Sequence, residues 1–182
     1  MAVSKKPRHK RKPHKGHIGA LFLPQKTKDD LIDLFRNVHL MCELKLHTGT
    51  CTYQDIAKIR DVLNGGTWFA TRWRDRVQMD TDTVEAYAKA QDAFHDLYHR
   101  GLALGALNDE TVRFVCKGPE IEAIKDGVAI ATDFLLELID MAPFDFFKTW
   151  NAMKDFLHGK GVGRVSVERD VMEKEIDRRC RR

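Results

Sequence analysis

The stretch Gly118-Pro-Glu-Ile-Glu-Ala-Ile-Lys-Asp-Gly-Val-Ala-Ile-Ala-Thr-Asp-Phe-Leu-Leu-Glu-Leu-Ile139 decides the fold class. Pro119 suits the first position of a helix, where an N–H would have no partner anyway, and Glu120 and Glu122 put negative charge at the positive end of the helix dipole. Ile121, Ile124, Val128, Ala131, Leu135, Leu138 and Ile139 then recur at helical steps and make one apolar face. Pro143 repeats the device. Phe146, Phe147, Trp150, Met153 and Leu157 follow at the same spacing until Gly159 and Gly161 end the run.

Upstream of this pair the same periodicity returns several times. Thr27 is a candidate N-cap with Asp29 and Asp30 in the first turn, and Leu31, Leu34, Phe35, Val38, Met41 and Cys42 fall on one face of a helix reaching about Leu46. His47-Thr-Gly-Thr50 breaks it. Thr52 with Asp55 has capping spacing, and Ile56, Ile59 and Leu63 form the next stripe, which Asn64-Gly-Gly66 is expected to stop. A further segment from Thr67 to about Met79 carries Trp68, Phe69, Trp73 and Val77. Asp80 or Asp82 then caps a long helix through Val84, Tyr87, Phe94, Leu97 and Leu102, with Gly101 and Gly105 weakening its last turns. Asn108-Asp-Glu110 reads as the start of a short helix to about Lys117, and Ser166 as the cap of a final charged one.

No run of alternating β-branched residues stands out, Val162 to Val167 being short and Gly-rich, and no fixed repeat is visible. The predicted fold is all-α, an antiparallel bundle of six to eight helices with a disordered basic N-terminal arm. Its expected organisation is a flexible arm over 1–20, a helical domain over 21–160 and a charged C-terminal helix or tail over 161–182.

The chain has 182 residues and a net charge of +4, and that charge is unevenly spread. Residues 1–20 carry Lys5, Lys6, Arg8, Lys10, Arg11, Lys12 and Lys15 with no acid, or +7; residues 164–182 carry +2 and the stretch between them −5. Residues 1–17 hold almost nothing apolar to offset the entropy of ordering them, so a flexible arm is expected. No apolar run approaches the ~20 residues of a membrane span. Only Ile18 to Leu23 is apolar after the basic start, too short for the core of a secretory signal, and two prolines with one serine do not suit a transit peptide. Cys42, Cys51, Cys116 and Cys180 are irregularly spaced, as expected of free thiols in a reducing cytoplasm.

Seven cations without an acid make a potential that a polyanion feels at long range, and nucleic acid is the natural partner. A solvated tail or a localisation signal has the same composition. A second, weaker patch is Arg72, Arg74 and Arg76, interleaved with aromatics behind Gly65-Gly66, in the outline of a helix-turn-helix. Against it, no small residue sits mid-turn, and Trp68 and Trp73 read as core. His39, Cys42, Glu43, His47 and Cys51 are ligand types gathered in a short stretch, but they lack the two-turn layout of a closed zinc site, and His95 with His99 reads as surface decoration. No metal and no cofactor are expected. Gly159-Lys-Gly-Val-Gly163 lacks the strand and the Gly-Lys-Ser/Thr ending of a phosphate loop, and no nucleophile with a base is recognisable, so no enzyme is expected.

Lys6-Pro-Arg-His-Lys-Arg-Lys-Pro13, Leu46-His-Thr-Gly-Thr-Cys-Thr-Tyr-Gln-Asp-Ile-Ala57 and Val62-Leu-Asn-Gly-Gly66 together resemble small, basic-armed α-helical proteins of uncharacterised function from proteobacterial phages and prophages. The similarity spans the arm and roughly residues 30–105, and it departs at Ile56, where such proteins tend to carry an aromatic. It implies a bacterial cytoplasmic setting, with a role on nucleic acid or against a host protein, and no catalytic residue. The expected function is therefore that of a non-enzymatic accessory protein holding DNA or RNA backbone through its arm. The alternative is a protein-interaction module that inhibits or scaffolds a host complex, motivated by Phe144, Phe146, Phe147, Trp150 and Phe156, more rings than one stripe hides, with a homo-oligomer possible.

Overall fold

The Pro119 stretch forms the spine of the molecule. In a computed structural model that describes residues 24–73 and 80–157, Gly118–Met141 is a helix in contact with every other helix. The helices are α1 (Gln25–Met41, continued by one π-helical turn, Cys42–Leu46), α2 (Tyr53–Arg72), α3 (Thr81–Ala103), α4 (Gly118–Met141) and α5 (Pro143–Leu157). Ile121, Ile124, Val128, Ala131, Leu135, Leu138 and Ile139 of α4 are all buried. The all-α reading holds, with five α-helices among the described residues rather than six to eight.

Two of the missing helices have specific explanations. Asn64-Gly-Gly66 does not stop α2, which runs through it. A Cβ at Gly65 would lie 2.6 Å from the Trp150 ring, and one at Gly66 would collide with the Tyr87 hydroxyl. The glycines let α5 and α3 close onto α2, and burial from Val62 to Phe69 outweighs their poor helix propensity. Residues 108–117 are not helical either. Asp109 Oδ1 accepts from the Thr111 N–H at 2.8 Å and fixes a turn, after which the chain extends and the Phe114 N–H donates to the Cys51 carbonyl at 3.0 Å. The Phe114 ring fills the space beside Gly101. The helix expected from Ser166 lies outside the described residues.

Helix starts follow the capping chemistry more closely than the stops. Thr52 accepts the Asp55 N–H at 3.3 Å while Asp55 accepts the Thr52 N–H at 3.0 Å, a reciprocal box. Asp80 accepts the Thr83 N–H at 2.9 Å. At α4, Glu120 reaches back to the Lys117 N–H at 2.8 Å. Helix α1 starts earlier than Thr27, because the Pro24 carbonyl takes the Thr27 and Lys28 N–H groups.

Side-chain pairs give the arrangement. Lys28–Asp140 at 2.7 Å and Glu43–Lys125 at 3.1 Å run α1 antiparallel to α4, and Arg100–Glu120 at 2.5 Å with the packing of Ala90 on Gly127 does the same for α3. The α2 contacts advance with α4, Leu63 at Gly127 and Gly66 at Ala131, so the bundle is not antiparallel throughout. Phe35, Phe69, Phe146 and Trp150 fill the space between α1, α2 and α5, with Phe69 and Phe146 stacked at 4.5 Å and Phe35 edge-on to Trp150 at 4.9 Å. No helix among the described residues is long and apolar enough to cross a membrane.

Candidate nucleic-acid interface

The cationic residues expected to hold phosphate divide between the two ends of the reading. Lys5, Lys6, Arg8, Lys10, Arg11, Lys12 and Lys15 lie outside the described residues, as do Arg74 and Arg76. Arg72 is the last residue of α2 and is exposed. The helix-turn-helix outline around it is overturned, since its supposed turn, Gly65-Gly66, is the buried middle of one helix. Trp68 and Trp73 are 2% and 6% exposed, so neither offers a face on which a base could stack.

The described residues carry a charge opposite to that of residues 1–20. They hold 21 acidic and 14 basic side chains, a net of −7. Many of the cations are already engaged. Lys45 donates to both Asp55 carboxylate oxygens at 2.8 and 2.9 Å, Arg100 grips Glu120 with both ends of its guanidinium, and Lys125 lies between Glu43 and Glu122. Arg60 is 3% exposed and its guanidinium pairs with Asp61 at 3.0 Å. These pairs organise the bundle. The net charge of the described residues is negative, so as a whole they repel a phosphate backbone.

Four of the five ligand-type residues of the α1–α2 junction, all but His39, are engaged elsewhere. Cys42 and Cys51 are buried in the core, and burial pushes both thiols up, Cys51 to about 12; the half-buried Cys116 is pushed up to about 11 by the same cause. Thiols held protonated are poor nucleophiles and poor ligands. Glu43 faces Lys125, and His47 Nε2 is 3.8 Å from Glu122 Oε1. Among the described residues no three His, Cys, Asp or Glu side chains converge as metal ligands. Gly159-Lys-Gly-Val-Gly163 lies outside the described residues.

Of the remaining buried polar groups, Asp55 was expected as a cap, while Arg60 and Tyr98 were not singled out by sequence reasoning. Burial raises the Asp55 carboxyl, but hydrogen bonds from Lys45 and Thr52 outweigh it and hold the group below its usual range. Burial pushes the Tyr98 hydroxyl up to about 12, with Tyr53 beside it contributing. The signal for Arg60 was its position one residue beyond Ile59, on a stripe that wraps most of α2. An open groove of about 460 Å³ between α3 and α4 is lined by Asp82, Glu85, Lys89 and Asp126 with Ala86 and Ala123.

The aromatic segment in α5 is core more than surface. Phe146 and Trp150 are buried, Phe147 and Phe156 pack partly against the core, and Phe144 is 38% exposed. The larger exposed apolar side chains lie elsewhere, with Leu40 and Leu44 one turn apart at the end of α1 and Leu104 and Val115 between α3 and α4. Comparison of the chain with protein-family models, curated proteins and solved structures returns no match.

Proposed function

We propose that this chain is a non-enzymatic accessory protein that binds DNA or RNA backbone through its cationic arm, the helical body serving to hold and present that arm. The observation that carries the reading is charge segregation: +7 within residues 1–20 against −7 over the described residues. A phosphate backbone is attracted by the first and repelled by the second, so contacts concentrate on Lys5, Lys6, Arg8, Lys10, Arg11, Lys12 and Lys15, with Arg72, Arg74 and Arg76 as a weaker second patch. Contacts to phosphate alone carry little sequence preference. A cytoplasmic setting, phage or prophage origin and free thiols fit the resemblance noted above. The test is deletion of residues 1–17. Helical circular dichroism and the thermal midpoint stay nearly unchanged, while retention on heparin and the mobility shift with DNA are lost; equal binding by the truncated protein overturns the reading.

The second reading, a module that docks on a host protein or on another copy of itself, is favoured by Leu40 and Leu44, 57% and 68% exposed on one face of one element. Light scattering with an apolar dye separates the two. A monodisperse monomer that binds no dye removes the support for docking.

A further inference from the structure

Helix α3 carries Asp92, His95, Asp96 and His99 at steps of three and four, so all four stand on one side of it, and all four are exposed. The two imidazoles approach each other closely, with ring centroids 4.2 Å apart and planes inclined at 48°, a geometry neither stacked nor edge-on. An imidazole nitrogen binds a first-row transition ion at about 2.0–2.1 Å, so two rings bound side by side at roughly a right angle have centroids about 4.5 Å apart. The observed separation is near that value, and the i, i+4 spacing on one helix keeps the two residues one turn apart on the same side before any ion arrives. This preorganisation lowers the entropic cost that a chelate between two mobile chains would meet.

We propose that His95 and His99 form a two-histidine chelate for a divalent first-row transition ion on the outer face of α3. Among the described residues no third protein ligand converges there, so water completes the coordination shell. Asp92 and Asp96 add negative charge to the same face and raise the local concentration of cations. Imidazole selects Cu²⁺, Ni²⁺ or Zn²⁺ over the hard ions Mg²⁺ and Ca²⁺, which prefer an all-oxygen shell. Because the pair spans one helical turn, the ion binds the folded helix in preference to the unfolded chain and stabilises it by linkage.

The experiment uses the full chain and Ni²⁺, which does not oxidise the thiols as Cu²⁺ would. At an ion concentration ten times the dissociation constant the thermal midpoint rises by about 3–6 °C. Mg²⁺ leaves it unchanged. His95→Ala and His99→Ala are each compared with their own metal-free midpoint, and each loses the rise. Joint replacement of His9, His14 and His17 with Ala retains it. Paramagnetic broadening of proton resonances by Ni²⁺ centres on α3 around His95 and His99. A rise that survives His99→Ala, a rise lost with His9, His14 and His17, or broadening that spares α3 overturns the proposal.

Discussion

Asp55 shows what one side chain does in this fold. It closes the capping box of α2 and accepts two hydrogen bonds from Lys45, so one carboxylate fixes both the start of α2 and the end of the π-helical turn before it. Its pKa is lower folded than unfolded despite burial. The stability it contributes is therefore present above the unfolded carboxylate range, around pH 4, and is lost as pH falls through the lower folded value. Asp55→Ala is expected to cost about 1–2 kcal/mol at neutral pH, the range of a lost cap with its charged hydrogen bonds. Urea unfolding at pH 7 and at pH 3 checks this, because the gap between wild type and variant should narrow in acid. A gap that stays constant would place the effect in packing rather than in ionisation. The Thr52–Asp55 spacing was legible in the sequence, but the Lys45 contact was not, since nothing local brings together residues ten apart across a turn.

At the scale of elements, starts were easier to read than ends. A cap is local chemistry, and Thr52, Asp80 and Pro119 with Glu120 each act as their residue types suggest. A stop is a competition with packing. Gly65-Gly66 lost that competition because Trp150 and Tyr87 lie 85 and 21 residues away, which no local window contains. The misread 108–117 segment is the converse, a helical pattern drawn into an extended pairing with Cys51. Close approach also sets the α3–α4 contact, where a Cβ on Gly127 would overlap the Ala90 Cβ. Both atoms belong to rigid helices, so Gly127→Ala is expected to destabilise by about 1–3 kcal/mol even though alanine is the better helix former. Ala90→Gly on the same chain removes the clash. In a double-mutant cycle the pair is then less destabilised than the sum of the single changes, by about 1 kcal/mol or more. Additive losses would mean that α3 shifts to absorb the extra methyl and that the contact does not set the helix spacing.

Over the whole molecule the distribution of charge was the most legible property, because it needs only counting. What counting could not give was the division of labour within the body, where Lys45, Arg100 and Lys125 are committed to Asp55, Glu120 and the Glu43–Glu122 pair. On the proposed reading a body of −7 adds at most the weak Arg72 contact, so the salt dependence of binding reports chiefly the arm. Seven neutralised phosphates predict a slope of roughly −6 for log Kobs against log salt on duplex DNA, and a loss of about 10³–10⁴ in affinity between 50 and 200 mM. Replacing Lys10, Arg11 and Lys12 with Gln removes three of those charges and should bring the slope to about −4, with no change in unfolding behaviour. Replacing Arg72 alone should move it by one at most. A slope that stays near −6 after the triple replacement would assign the phosphate contacts to other cations and transfer the interface away from the arm.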